Sequence, residues 1–278
     1  MVNIGQLNSL EVVGQFKQEW LLEGGKFGDI PLAKKNAQPN IRIGEMVEVF
    51  IYIDGEGYLA ATTHPPKAQV GDIAWLQVID ANADGAWLDW GVDEDLFLPR
   101  SEQQSPVDMN RYCMVRVLFD EKKGLYASSY LNDFLKDEAA EFEQGQQVSI
   151  MIGNATDLGY KVVINHQYWG LLYANEVFQP IYKGQVMAGY IKKLREDQRL
   201  DVSLAPFGFA KVVSITDTIL AKLAEHNGFI ALSDKSSPDD IYDVFGVSKK
   251  VFKQAIGILF KQRSIVIEPT GIRLLKSV

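Results

Sequence analysis

A length of 278 residues with 47% apolar residues, and no apolar run approaching about 18, excludes a helical membrane span and gives an ordinary globular composition. The formal net charge of −8 argues against a nucleic-acid partner when taken whole, but residues 1–144 hold 12 Lys/Arg against 24 Asp/Glu, whereas residues 145–278 hold 16 against 12. A polyanion is therefore drawn to the C-terminal half and repelled by much of the N-terminal half. Cys113 is the single cysteine, so no intrachain disulfide forms, and a buried strand thiol accounts for it better than a nucleophile does. With no basic-then-apolar stretch at the N-terminus, a cytoplasmic location without a secretory leader is expected.

In chain order, residues 1–65 read as a small β-barrel. Gln6 to Val13 alternates polar and apolar residues, and Phe16 to Leu22 gives a second strand. Gly28 to Leu32 is a third, lined up with Gly170-Leu-Leu-Tyr173 further on. Gly44 to Ile53 and Tyr58 to Thr62 follow, with Asp54-Gly supplying a tight turn. His64-Pro-Pro66 marks a boundary, and residues 66–130 read as a second copy. Gly85-Ala-Trp-Leu-Asp-Trp90 and Asp95 to Pro99 match Gly159 to Ile164 and Trp169 to Tyr173 at a constant offset of 74. Residues 131–144 take helical periodicity through Leu131, Phe134, Leu135 and Phe142, predicting a short acidic linker helix.

Residues 145–205 show five short β-rich runs broken by Gly or Asn/Asp, the pattern of an OB barrel. From 206 to 278 the order is helix, capped helix from Ser237-Pro238, tight turn at Gly246-Val-Ser248, helix to Arg263, then a hairpin with Pro269-Thr-Gly at its tip. That is the order of a winged helix-turn-helix. The fold class expected is mainly β with a C-terminal α+β domain, made of three tandem OB barrels and a winged helix.

The set Gly145-x-x-Val148, Leu158-Gly-Tyr-Lys-Val162, Gly170-Leu-Leu-Tyr173, Gly184-Gln-Val and Arg199-Leu-Asp-Val-Ser-Leu204 resembles the S1-type RNA-binding OB domain. With its flanks, the whole chain resembles the conserved virulence factor B family. The resemblance implies three S1-type domains, a winged helix and RNA binding in post-transcriptional regulation. It also implies that Lys161 and Tyr173 present side chains to RNA. Asp95 departs from the S1 pattern, which has glycine before the third strand.

No catalytic or metal-binding constellation emerges. His64, His166 and His226 lie far apart, and no phosphate loop, nucleophile elbow or dinucleotide fingerprint occurs. Asp93-Glu94-Asp95 reads as a solvated corner rather than a magnesium site. A non-enzymatic protein with no cofactor is expected. Single-strand binders combine backbone-tracking cations with aromatic faces. That points to Tyr168, Trp169 and Tyr173 as stacking groups and to Lys161, Lys192, Lys193, Arg195 and Arg199 as cations. Trp87 and Arg100 add to these in the second copy. Barrel core is the competing role for the aromatics, and a solvated hairpin for the cations. Lys249, Lys250, Lys253 and Arg263 would carry any contact of the winged helix with nucleic acid. The partner expected is single-stranded RNA, with a monomer favoured. Duplex DNA read by the winged helix, or a ribonuclease served as an accessory subunit, are the alternatives.

Overall fold

The computed structural model describes residues 2–177, 179–205 and 209–275, the side chains of 209–214 excepted. The first five strands, β1 Leu7–Phe16, β2 Glu19–Glu23, β3 Asp29–Ala33, β4 Met46–Ile53 and β5 Leu59–Thr62, close into a barrel in the order β1-β2-β3-β5-β4. Alternation along β4 sends Val47, Val49 and Ile51 into the barrel core. On the opposite side of β4, Phe50 and Tyr52 are also buried because they face the next unit and join its core. The hairpin between β4 and β5 takes its positive φ at Gly57 rather than at the Asp54-Gly step. The Asp54 carboxylate organises it by accepting from the Glu56 and Tyr58 backbone amides.

The second unit comprises β6 Ile73–Ala81, β7 Gly85–Asp89, β8 Leu96–Pro99, β9 Tyr112–Asp120 and β10 Gly124–Ser128, and here the expectation of a closed barrel fails. The hydrogen-bonded order is β10-β9-β6-β7-β8, an open sheet. β8 is short and ends in Pro99, which has no N–H to extend a ladder. The seam is bridged beyond the strands instead, by Ser129 N donating to Glu102 O (2.9 Å) and Gln104 N donating to Ser129 Oγ (2.7 Å). The third unit closes fully from β11 Gln147–Thr156, β12 Gly159–Ile164, β13 Tyr168–Tyr173, β14 Val186–Leu194 and β15 Leu200–Ser203.

The repeat is visible in the register. Gly85 pairs with Pro99 as Gly159 pairs with Tyr173, and Trp87 pairs with Phe97 as Lys161 pairs with Leu171, all at the offset of 74. Each first strand also shifts register at its middle, at Val12/Gly14, Val78/Asp80 and Ile152/Ala155, which bends it around the barrel. In the first barrel Leu32 pairs in parallel with Ala61 as Leu172 does with Val202. Leu32 is thus the counterpart of Leu172, and Ile30, not Gly28, stands at the place of Gly170.

The expected helix over 131–144 is absent beyond a single 3-10 turn at Leu131–Asp133. The backbone of this segment bonds to the third barrel instead. Lys136 N donates to Gln167 O, Trp169 N to Lys136 O and Ala139 N to Gln198 O, each at 2.9 Å. Leu131 and Leu135 are buried with Val163, Trp169, Ile73 and Met114, and these tertiary bonds override local helical periodicity.

The winged helix has α1 Phe209–Glu225, β16 Phe229–Ile230, α2 Pro238–Phe245, α3 Lys249–Lys261, β17 Ile265–Glu268 and β18 Gly271–Leu274. Expected caps are in place. Ser237 Oγ accepts from Asp240 N, Gly246 takes the left-handed conformation, and Ser248 Oγ accepts from Val251 N. Ile219, Leu223, Phe252, Ile256, Leu259 and Ile272 form its core. The short β16, which pairs with β18, was not anticipated.

Candidate nucleic-acid interface

In an OB barrel the face of strands two and three, flanked by the loops between strands one and two and between strands four and five, is where oligonucleotides lie. In the third barrel this face is β12–β13, and a groove of about 410 Å³ runs along it. Lys161 rises from β12, Leu171 from β13, Thr156 from the end of β11, Leu158 from the first loop, and Arg195 and Arg199 from the second. Lys161, Trp169, Arg195 and Arg199, singled out in the sequence, are therefore brought together. Leu158, which is 61% exposed, and Leu171 were missed; the position of Leu158 just before the turn glycine Gly159 is the signal that could have found it.

The electrostatics favour an anion. Arg195 holds the buried carboxylate of Asp201 through Nε (2.8 Å) and Nη2 (2.6 Å), and its Nη2 donates to Tyr173 Oη at 3.0 Å. The bond to Asp201 fixes Arg195 in its charged form. Arg199 is exposed, with Asp197 3.8 Å away. Lys161 lies 3.8 Å over the Trp169 ring, and burial pushes its pKa down, partly opposed by Asp137. With Asp201 engaged by Arg195, Asp137 is the one carboxylate among the described residues that line a groove holding Lys161, Arg195 and Arg199.

Other predicted residues lie elsewhere or are committed. Trp169 is only 9% exposed, wedged between the second and third barrels, with Nε1 donating to Asn132 Oδ1 at 3.0 Å. Tyr168 turns toward the third core, edge-on to Phe142, so neither aromatic offers the open face expected of it. Val163, on the same side of β12 as Lys161, points out of the barrel but is buried against the second unit. Lys192 pairs with Glu176 and lies 5.5 Å from the Tyr173 ring centre, while Lys193 is exposed. In the second unit Trp87 packs against Phe97 on the equivalent face, and Arg100 donates to Gln103. On the winged helix Lys250, Lys253 and Arg263 are exposed and Lys249 is half-buried, with Lys253 3.9 Å from Asp234. The acidic trio does not converge: Asp93 is bound to Asn36 (2.9 Å) and Lys35 (2.7 Å) of the first barrel.

Register explains why the third barrel carries the groove. The counterparts of Val163 and Trp169 are Glu23 and Asp29 in the first barrel and Asp89 and Asp95 in the second. Those faces are acidic at the positions where the third is apolar.

Comparison with known proteins places this architecture. The S1 domain model matches residues 4–64, the first barrel, and the CvfB-like winged helix domain model matches residues 217–274. Conserved virulence factor B of Staphylococcus aureus (strain USA300) is 27% identical over an alignment covering 98% of this chain and 94% of its own. The chain is a homologue of conserved virulence factor B. A second relative, the uncharacterized protein YitL of Bacillus subtilis (strain 168), is 27% identical over 94% of this chain and 90% of its own. A solved multidomain protein with nucleic acid binding domains from Streptococcus pneumoniae TIGR4 is 26% identical, covering 98% of both chains, with a TM-score of 0.43. The S1 and winged-helix domains make this a nucleic-acid-binding chain built from binding modules. No helix among the described residues is long and apolar enough to cross a membrane.

Proposed function

We propose that the protein binds single-stranded RNA on the β12–β13 face of its third barrel and acts, without catalysis, in post-transcriptional regulation in the cytoplasm. The observation that carries this reading is the convergence of Lys161 and Arg199 beside Leu158 and Leu171 in one open groove, where Arg195 bonds to Asp201 and Tyr173. Cations there would follow the backbone, while the apolar floor and the Tyr173 ring take unpaired bases.

The test is affinity for an unstructured RNA across a salt series, with single-stranded and duplex DNA of the same length alongside. Arg199→Ala should lower the salt slope by about 0.7, the share of one single-strand phosphate contact. Tyr173→Ala should weaken binding by about 5- to 150-fold, the range of one lost base stack, with its melting temperature checked because its hydroxyl braces Arg195. A preference for duplex DNA, unaffected by either change, would move recognition to Lys249 and Lys250 on the winged helix.

A further inference from the structure

The groove does not end at Trp169. A second opening of about 360 Å³ lies between the second and third units, and Lys161 and Trp169 line both. The chain has 36 acidic residues and a net charge of −8, yet none of the described residues lining this cleft is acidic, and Lys161 and Lys183 both are basic. The cleft also holds an aromatic platform. Tyr112, 51% exposed, stacks on Trp75 with ring centres 6.0 Å apart and planes inclined by 20°. Lys183 sits 4.9 Å from the Trp75 ring centre. Trp75 is braced from the third barrel by Gly184, where any Cβ would collide with the indole, so the docked third unit closes one side of this platform. The side-chain amides of Gln104 and Asn154, also lining the cleft, have no hydrogen-bond partner among the described residues.

These are the components of a single-strand track: cations for phosphates, an exposed aromatic face for a base, and free amides for base edges. We propose that a single RNA strand leaving the β12–β13 groove passes Lys161 and continues through the cleft between the second and third units, stacking a base on Tyr112 and placing phosphates at Lys183. The inference rests on the RNA reading of the groove and adds a second subsite that the third barrel alone does not contain.

The full-length protein is titrated with fluorescent oligouridines of about four and about twelve nucleotides, the short one near the smallest site a single OB barrel covers. Tyr112→Ala and Lys183→Ala, each checked for an unchanged melting temperature, should bind the short RNA as wild type does. Tyr112→Ala should bind the long RNA at least about 5-fold more weakly, the loss that one stack implies, and Lys183→Ala should weaken it with a salt slope lower by about 0.7, the share of one phosphate contact. Arg199→Ala should weaken both lengths. If it does while the two cleft variants bind the long RNA normally, the track is wrong and the groove stands. If Arg199→Ala binds both lengths as wild type does, the groove reading fails first.

Cys113 gives a readout that needs no variant. It is the chain's one cysteine, lines the cleft and is 9% exposed, and burial pushes its thiol up to about 11, so alkylation is slow and best followed at mildly alkaline pH. Saturating long RNA should slow the reaction several-fold and short RNA should not. A rate unchanged by bound long RNA would overturn the proposal.

Discussion

Arg195 and Arg199 stand four residues apart in one loop, and their partners give them different tasks. Arg195 is consumed by Asp201 and Tyr173, so it shapes the loop, whereas Arg199 keeps its guanidinium exposed for a ligand. Sequence identifies both as cations but not which one is committed, because the partner that claims Arg195, Asp201, is buried in β15. Trp169 shows the same limit: alternation along β13 turns it outward, and only the docked second unit makes outward mean buried. Asp93 allows a test of a joint at this scale. Hydrogen bonds from Asn36 and Lys35 hold its carboxyl below the usual aspartate value. Because the folded value is depressed, the stabilisation is present above the unfolded value of about 3.9 and is lost as pH falls through the folded one. Asp93→Asn should therefore lower the melting temperature at neutral pH and flatten its decline below about pH 4, followed by thermal melts at a series of pH values.

At the scale of elements, strands were legible because their alternation and the glycines between them are local signals. The segment 131–144 was not, since its hydrogen bonds go to Gln167 and Gln198 and no local pattern encodes a distant acceptor. The open seam of the second unit likewise depends on how β8 meets β10, a long-range pairing. The repeat itself was readable through Gly85 and Gly159, and the structure gives the reason for glycine. At Gly159, φ is +151° and a Cβ would collide with the Leu172 carbonyl; at Gly85 a Cβ would lie 2.5 Å from the Leu98 carbonyl. Gly159→Ala should thus cost about 2–5 kcal/mol, combining backbone strain with overpacking. Gly257 in α3 is the contrast, for its Cβ would meet open space in a helix interior. Gly257→Ala should stabilise the winged helix by about 0.5–1 kcal/mol. Denaturant melts of both variants check the pair.

Across the whole molecule, the three β-units are joined by shared buried residues rather than strung on flexible linkers. Phe50 and Tyr52 enter the second core, Trp90 meets Phe50 edge-on at 5.3 Å, and Met151, Val163 and Trp169 pack with Ile73 and Met114. His166 fastens the latter joint, accepting from Ile73 N at 2.9 Å, while Arg116 donates to the His166 carbonyl at 2.8 Å. Three similar β-units are thereby given different surfaces, and charge follows that division. The faces equivalent to the groove carry Glu23 and Asp29, then Asp89 and Asp95, so a phosphate backbone is repelled until it reaches the third unit. A fragment of residues 1–130, with 11 Lys/Arg against 19 Asp/Glu, keeps the first joint and the Trp87–Phe97 pair but lacks the groove. It should bind unstructured RNA at least about 10-fold more weakly than the full chain at moderate salt, a loss of at least about 1.4 kcal/mol. Its salt slope should also be shallower, because the phosphate contacts of Lys161 and Arg199 are gone. Fluorescence anisotropy at several salt concentrations measures both quantities. A fragment matching the full chain in affinity and slope would place recognition on the Trp87–Phe97 face despite its acids, and would make the aromatic pair rather than the cations the determinant of binding.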